Sequence, residues 1–230
     1  MKKAVWILLV VLIWSCSSTF SRKDHSMHWQ KNAAEYKALC IQAYNIAQSR
    51  IDEALQWESE KPLAIIADID ETVLNNRPYN EMLIEKKLPF TQKTWSEWVN
   101  SKKATPIPGA RSFFQYAHAR GVEIIYISNR RVENYTPTKE NLIALGFPFD
   151  QDTQMLLRDQ HKSKEERRKQ LDDFNVVLLL GDNLADFDAR FDIGTNEARS
   201  AAVDQTAAAF GTKFILFPNL IYGTWEEGFD

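Results

Sequence analysis

The sequence predicts an α/β fold: a Rossmann-like parallel sheet flanked by helices, with a small, mainly helical accessory lobe. Short unbroken apolar runs alternate with segments of helical spacing, as in parallel α/β folds. The runs lack the alternation of polar and apolar residues that marks half-exposed strands, which indicates strands covered on both faces. With 230 residues and 44% hydrophobic content, the chain can bury one substantial core but hardly two full domains.

Four buried strands are predicted from the apolar runs. They are Leu63–Ala67, Val122–Ile127, Val176–Leu180 and Phe214–Phe217. The first run leads directly into Asp68. Since helical segments separate the runs, we expect the strands to lie parallel in one sheet.

Helical patterns lie between these strands. They are predicted for Gly109–Arg120, Pro137–Leu145 and Ser163–Phe174, the last of which is rich in charge. Gly121 and Gly146 directly follow the first two, as is typical of helix C-termini.

Two further segments are assigned to the accessory lobe. From Tyr36 to Leu55, within residues 32–58, apolar side chains recur every three or four residues, which predicts an amphipathic helix packed on the core or on the lobe. Residues 75–105 contain Trp95, Trp98 and several prolines and follow neither a simple helical nor a strand pattern. We expect them to lie over the sheet as a partial cover.

The N-terminus resembles a bacterial lipoprotein signal. A basic start precedes an apolar run, Ala4–Trp14, that is too short to span a bilayer and ends at a small-residue patch containing Cys16. We expect residues 1–15 to be a signal peptide, Cys16 to be lipidated, 16–31 to be a flexible tether and 32–230 to be the folded domain. The chain is then exported and anchored in a membrane, and Ser17 favours the outer membrane. An uncleaved anchor and an ordinary secreted protein are the alternatives.

Charge and cysteine content limit the partners. The formal net charge of −3 argues against non-specific nucleic-acid binding, because no basic excess exists to neutralise a phosphate backbone. Cys40, the second of two cysteines, lies in a helical pattern and is expected to be a buried hydrophobe rather than half of a disulfide. The sequence leaves the oligomeric state open, with a homodimer as one alternative.

Acidic and phosphate-binding side chains follow three of the predicted strands. The groups are Asp68-Ile69-Asp70-Glu71-Thr72, Ser128-Asn129-Arg130, and Gly181-Asp182-Asn183 with Asp186. Because ligands of open parallel sheets bind beyond the carboxyl ends of the strands, we expect these groups to meet at one edge. A lysine, Lys164 or its neighbour Lys162, lies in a charged helix start nearby.

These residue types fit phosphoryl transfer, in which the transferred group carries negative charge that cations and directed donors must stabilise. A carboxylate nucleophile alone would be repelled by the phosphate. Magnesium held by Asp68, Asp182 and an oxygen near Asp70 would offset that repulsion, since this ion prefers hard oxygen ligands. Ser128, the following backbone N–H and Lys164 would bind the remaining phosphate oxygens.

Four motifs of this chain together resemble those of the haloacid dehalogenase superfamily. They are Asp68–Thr72, Ile127–Arg130, Ser163–Arg167 with Lys164, and Gly181–Asp186. Asn76, Tyr79 and the tail from Phe217 to Glu226 extend the similarity to its class C acid phosphatases, the bacterial surface lipoprotein phosphatases. The resemblance implies that Asp68 is the nucleophile and Asp70 the general acid and then the base. It assigns phosphate binding to Ser128, Asn129 and Lys164. It assigns metal binding to Asp68, Asp70, Asp182 and Asp186. Contact with the organic part of the substrate is assigned to Trp95 and Tyr222.

We therefore expect a magnesium-dependent acid phosphatase that hydrolyses phosphomonoesters through an aspartyl-phosphate. The resemblance implies nucleoside monophosphates as substrates, taken at the cell surface or in the periplasm. Two alternatives remain: a surface lipoprotein that binds a phosphorylated ligand without turnover, and a phosphotransferase that delivers the phosphoryl group to an alcohol.

Overall fold

The computed structural model describes residues 22–160, 163–192 and 194–227. The strands are β1 (Leu63–Ala67), β2 (Leu74–Asn75), β3 (Thr105–Pro106), β4 (Glu123–Arg131), β5 (Gln154–Arg158), β6 (Asn175–Gly181) and β7 (Phe214–Leu216). The helices are α1 (Arg22–Asn32), α2 (Ala34–Ala54), α3 (Arg77–Glu85), α4 (Gln92–Ser101), α5 (Ala110–Ala119), α6 (Tyr135–Ala144), α7 (Glu165–Arg168) and α8 (Asn196–Gln205).

A five-stranded parallel sheet forms the centre of the described residues, in the order β5-β4-β1-β6-β7. Alternate residues of β1 enter two hydrophobic clusters: Ile65 packs with α2 and α5, and Ile66 packs on the opposite face with Phe187 and Phe191. Both faces of the sheet are therefore covered, which explains the unbroken apolar runs. The predicted α/β fold is confirmed.

All four predicted strands are present in the parallel sheet, and β5 is a fifth strand that was not predicted from the sequence. Met155 and Leu157 of β5 are buried, whereas Gln154, Leu156 and Arg158 are only partly so. The strand lies at the edge of the sheet and is apolar mainly on one face, so it lacks the continuous run that marks the others.

The predicted helix Ser163–Phe174 is much shorter in the structure. Only Glu165–Arg168 is helical, and a turn closed by a hydrogen bond from Phe174 N to Leu171 O follows. Leu171 is buried against the sheet and Arg167 points inward, so the segment turns towards the core instead of continuing as a charged surface helix.

The flexible tether predicted for residues 16–31 is wrong from residue 22 onwards. Residues 22–32 form α1, in which Met27 and Gln30 are buried. The helix packs on α3, and Lys31 of α1 forms an ion pair with Glu81 of α3 at 2.9 Å. These contacts hold the segment against the domain. Cys16 and the predicted signal peptide lie outside the described residues.

The amphipathic helix that was predicted to pack on the core or on the lobe packs on the core, as α2. Tyr44 of α2 packs against Phe113 of α5 and Phe217, with ring centroids 5.1 and 4.6 Å apart, and Cys40 is fully buried in the same cluster. The smaller lobe consists of α3 and α4, between the short paired strands β2 and β3. Among the described residues, no helix has the length and apolar character needed to cross a membrane.

Candidate active site

Asp68 lies at the carboxyl end of the central strand. Its backbone N–H donates to Leu180 O of β6 at 2.9 Å, which continues the sheet pattern one residue beyond β1. The residue is only 7% exposed. The neighbours of β1 in the sheet are β4 and β6. Ser128 lies near the end of β4, and Asp182 comes directly after β6, so the predicted convergence at one sheet edge is observed.

Three carboxylates and one lysine form the centre of the site. Asp68, Asp182 and Asp186 each offer an oxygen within 4.8 Å of the other two. The ammonium group of Lys164 contacts the Asp68 carboxylate and lies 2.7 Å from Asp186 Oδ1. Lys164 is therefore part of this cluster, and Lys162 lies outside the described residues.

A close backbone approach places Asp186 in this group. The carboxylate accepts a hydrogen bond from Asn183 N at 2.9 Å, in the capping turn after β6. A Cβ atom at Gly181 would lie only 2.4 Å from Asp186 Cβ and Oδ2. Glycine is thus required at position 181 because the Asp186 side chain occupies the space that any other side chain would need.

Burial in this cluster shifts the acid–base equilibria. Burial raises the pKa of Asp68 to about 7; Lys164 opposes the shift, while Asp186 and Asp70 add to it. Burial and the neighbouring carboxylates also raise the pKa of Asp182 well above its usual range. Burial lowers the pKa of Lys164, but Asp186 and Asp68 outweigh it and the net shift is upward.

The donor set fits a hard divalent cation. Among the described residues, the cluster combines three carboxylates with a single ammonium group, which contacts two of them, so this part of the cluster has more acidic groups than positive charge to balance them. Carboxylate oxygens are the ligands that magnesium prefers. Burial raises the pKa values of Asp68 and Asp182, the neighbouring carboxylates add to the shift, and a bound cation would favour the ionised forms of both groups.

The Asp70 carboxylate is not part of this acidic group, and the assignment of Asp70 as a metal ligand, through an oxygen near it, stays a prediction. Its side chain faces Arg130 and accepts hydrogen bonds from Arg130 Nη2 and Asn76 Nδ2, each at 2.8 Å. Because these donors hold the carboxylate, the structure separates it from the oxygens of Asp68, Asp182 and Asp186.

The carboxyl-terminal part of β4 is held by a buried arginine. Arg167 donates to Ser128 O at 2.6 Å and to Asn129 Oδ1 at 2.7 Å. Ser128 is fully buried, and its hydroxyl accepts a hydrogen bond from Arg130 N at 3.1 Å, whereas Asn129 is exposed. These contacts fix the peptide that follows Ser128 beside the acidic cluster.

Glu71 is buried behind Asp70 in a left-handed backbone conformation, with φ of 57°. Its carboxylate accepts hydrogen bonds from Gln30 Nε2 of α1 at 2.7 Å and from Asn76 N at 3.0 Å. Burial raises the pKa of Glu71 to about 7, although these donors oppose the shift. The nucleophile loop is therefore supported from outside the sheet by α1.

The two predicted aromatic walls lie beside this network. Trp95 of α4 is partly buried and its ring centroid lies 5.6 Å from Arg130 Cζ. The Tyr222 hydroxyl lies 3.5 Å from Glu71 Oε1 and donates to it. Burial raises the pKa of Tyr222 well above its usual value, and the carboxylates of the site add to this effect. The structure thus brings both aromatic residues to the same sheet edge.

Several supporting residues were not assigned a role from the sequence. Arg130 and Glu71 adjoin predicted site residues, so proximity to a motif was the available signal. Asn219, in the tail, donates to Asp182 Oδ2 at 2.7 Å, and Arg167 reaches the site from the segment predicted as a helix rich in charge. Their pairing depends on tertiary contacts that residue spacing does not encode.

Comparisons with known proteins agree with this geometry. The profile of the HAD superfamily, subfamily IIIB (acid phosphatase), matches residues 14–225. The crystal structure of the class C acid phosphatase from Bacillus anthracis with tungstate bound has a TM-score of 0.84 and 39% sequence identity, and the similarity covers 89% of this chain and 86% of that one. A second structure of that phosphatase gives the same values.

Curated relatives include two stem glycoproteins of Glycine max. The stem 31 kDa glycoprotein is 28% identical over 130 residues, which are 53% of this chain and 50% of the relative. The stem 28 kDa glycoprotein is 24% identical over 170 residues, 70% of this chain and 63% of the relative. This chain therefore spans between half and two thirds of the length of these curated relatives.

Proposed function

The chain belongs to the acid phosphatases of HAD subfamily IIIB, and to their class C members, and on that premise we propose that it hydrolyses phosphomonoesters with Asp68 as the nucleophile. The observation that supports this role is the position of the Asp68 carboxylate, at the end of the central strand beside Lys164 and two further carboxylates. A nucleophile held on a buried strand end has little freedom to move, which favours in-line attack on phosphorus.

We propose that Asp68, Asp182 and Asp186 hold a magnesium ion. The ion would supply positive charge that offsets the repulsion between a carboxylate nucleophile and an anionic substrate. Asn219 and Lys164 support the arrangement, since each donates to a carboxylate of the group.

Phosphate oxygens are assigned to Lys164, Ser128 and the backbone after Ser128. Arg167 fixes this peptide through Ser128 O, so its donors are directed before substrate binds. The similar phosphatase from Bacillus anthracis has been crystallised with tungstate, which is a tetrahedral oxyanion like phosphate. That complex supports a phosphate-sized anion site in this chain as well.

Asp70 is proposed as the general acid and base. It lies two residues after Asp68, outside the acidic group, where its carboxylate is available to the leaving group rather than to a cation. It would donate a proton to the leaving oxygen when Asp68 attacks, and then accept one from the water that hydrolyses the aspartyl-phosphate.

Nucleoside monophosphates are the proposed substrates. Trp95 and Tyr222 flank the acidic site from α4 and from the tail, and both keep part of their surface exposed. Phe90, which is 62% exposed, lies beside Trp95 with ring centroids 6.3 Å apart. A flat base would find aromatic surface to stack on next to the phosphate position.

We propose that the chain acts outside the cytoplasm, held on a membrane by lipid at Cys16. The basic start, the short apolar run and the small residues around Cys16 support export and acylation.

A phosphatase screen tests the proposal. Wild-type protein, Asp68→Asn and Asp152→Asn are assayed on nucleotides, sugar phosphates and aryl phosphates, with magnesium and after chelation. Asp152 is exposed and precedes the amino end of β5, whereas the site lies at the carboxyl ends of the parallel strands, so Asp152→Asn is a matched control that should keep full activity. Asp68→Asn should lose turnover but stay folded, because the missing oxygen makes the covalent bond. Asp68→Asn with a tenth of wild-type activity, or full wild-type activity in chelator, would contradict the proposal.

A further inference from the structure

Arg130 is a buried cation paired with the proposed general acid. Its side chain is 1% exposed, and it lies near the end of β4, two residues after Ser128. The guanidinium donates to Asp70 Oδ1 through Nη2 at 2.8 Å and to Asp70 Oδ2 through Nε at 3.3 Å, and Nε also lies 3.0 Å from Oδ1. A planar fork with two such bonds fixes the orientation of a carboxylate as well as its position.

The donors are divided unequally between the two oxygens of Asp70. Oδ1 accepts from Arg130 Nη2, from Arg130 Nε and from Asn76 Nδ2, at 2.8, 3.0 and 2.8 Å. Oδ2 has only long contacts, with Arg130 Nε at 3.3 Å and Ser128 Oγ at 3.4 Å. Oδ1 is therefore saturated with donors, and Oδ2 is the oxygen with room for a proton.

Arg130 is itself held from two other elements. Its Nη1 donates to Thr138 Oγ1 of α6 at 3.0 Å, and its guanidinium lies over the ring of Trp95 on α4. Asn76 is held in turn, because its Oδ1 accepts from Trp98 Nε1 at 2.8 Å. Neither Arg130 nor Asn76, the two residues that donate to Asp70 Oδ1, can rotate away without breaking these contacts.

We propose that Arg130, together with Asn76, is a positioning residue that reserves Asp70 Oδ2 for proton transfer. This inference rests on the proposed function. In the first step an Asp68 oxygen bonds to phosphorus, the bond from phosphorus to the leaving oxygen breaks, and the proton on Oδ2 passes to the leaving oxygen. In the second step water attacks phosphorus, the bond to Asp68 breaks, and Oδ2 takes a proton from the water.

Substrates with different leaving groups separate this role from a structural one. An alkoxide is a poor leaving group and needs the proton from Oδ2 as the bond breaks, whereas 4-nitrophenolate departs without one. A misplaced Asp70 should therefore harm alkyl phosphates selectively. A general weakening of the fold or of phosphate binding would reduce turnover of both substrates alike.

The test compares kcat/KM for glycerol 2-phosphate and 4-nitrophenyl phosphate. Arg130→Lys keeps the charge but loses the fork, and it should lower kcat/KM for the alkyl substrate roughly tenfold to a hundredfold, with a much smaller loss for the aryl substrate. Arg131→Lys makes the same change at the adjacent exposed position and should leave both values unchanged. Equal losses on both substrates, or no loss on either, would overturn the inference.

Thr138→Val provides a second, milder variant if Arg130→Lys does not fold. It removes the acceptor of Arg130 Nη1 but none of the donors to Asp70. A smaller loss that again falls on the alkyl substrate is expected, and an equal loss on both substrates would count against the inference. Wild-type protein that hydrolyses neither substrate would overturn the proposed function and, with it, this inference.

Discussion

Replacing Gly181 by alanine is expected to displace Asp186 from the acidic cluster. An added Cβ would lie 2.4 Å from Asp186 Cβ and Oδ2, whereas ordinary van der Waals contact begins at 3.4 Å. Asp186 must therefore move by about 1 Å, which is 3.4 − 2.4. Such a shift weakens the hydrogen bond from Asn183 N at 2.9 Å and the contact with Lys164 at 2.7 Å.

The size of the effect follows from this overlap. Forcing additional volume into a packed site costs about 1–3 kcal/mol in the free energy of unfolding. A catalytic group misplaced by about 1 Å can lower the rate by roughly a hundredfold. We therefore expect Gly181→Ala to be less stable by about 1–3 kcal/mol, to need more magnesium for half-maximal activity, and to lose activity by roughly tenfold to a hundredfold.

Urea unfolding monitored by circular dichroism and magnesium titration of phosphatase activity measure these quantities. Gly194→Ala is the matched control, because nothing lies within 4 Å of its added Cβ and the position is exposed. The control should behave as wild type. Gly181→Ala with wild-type stability and an unchanged magnesium requirement would refute the argument that Asp186 and the glycine share this space.

Three further outcomes are expected. Burial raises the pKa values of Asp68 and Glu71 to about 7, so their neutral forms stabilise the metal-free fold, and this contribution is lost as pH rises from about 4 through about 7. The unfolding free energy in chelator, measured by urea melts, should fall over that pH range, and a flat profile would be inconsistent with those shifts. Trp95→Ala or Tyr222→Ala should raise KM for nucleoside monophosphates roughly tenfold to a hundredfold, from about 1–3 kcal/mol of lost stacking, with little change in KM for a small aliphatic phosphate. Trp95→Ala also removes the ring beside Arg130, so its kcat for the aliphatic substrate is expected to fall; an equal rise in KM on both substrates would argue for a purely structural role. Cys16→Ser should release the protein from membranes or leave the precursor uncleaved, and a fractionation in which the variant is still processed and membrane-bound would exclude Cys16 as the anchor.

The core of the fold could be predicted because burial on both faces leaves a continuous apolar signal. The run Leu63–Ala67 coincides with β1, the strand that carries Asp68. Edge strand β5 escaped prediction because Gln154, Leu156 and Arg158 interrupt its buried positions. Helix α1 escaped because its sequence is mostly polar, and its place depends on contacts with α3 and Glu71 that lie far away along the chain.

The candidate site was predictable where residue type and strand end coincide. Asp68 and Asp182 each follow a buried strand, and the sheet order makes them neighbours. The environment of Asp70 was not predictable in the same way, since a DxD spacing says nothing about which way the second carboxylate turns. Arg130 decides that orientation, through a bond across 60 residues of sequence.

Chemical trapping of the covalent intermediate tests the central claim most directly. Wild-type protein is mixed with a phosphomonoester, quenched in acid within a single turnover, digested and analysed by mass spectrometry. We predict one phosphoryl group on the peptide that contains Asp68, removable by hydroxylamine as an acyl phosphate is, and absent from Asp68→Asn. Turnover without any phosphorylated peptide, or a phosphoryl group on a different residue, would contradict the assignment of Asp68 as the nucleophile.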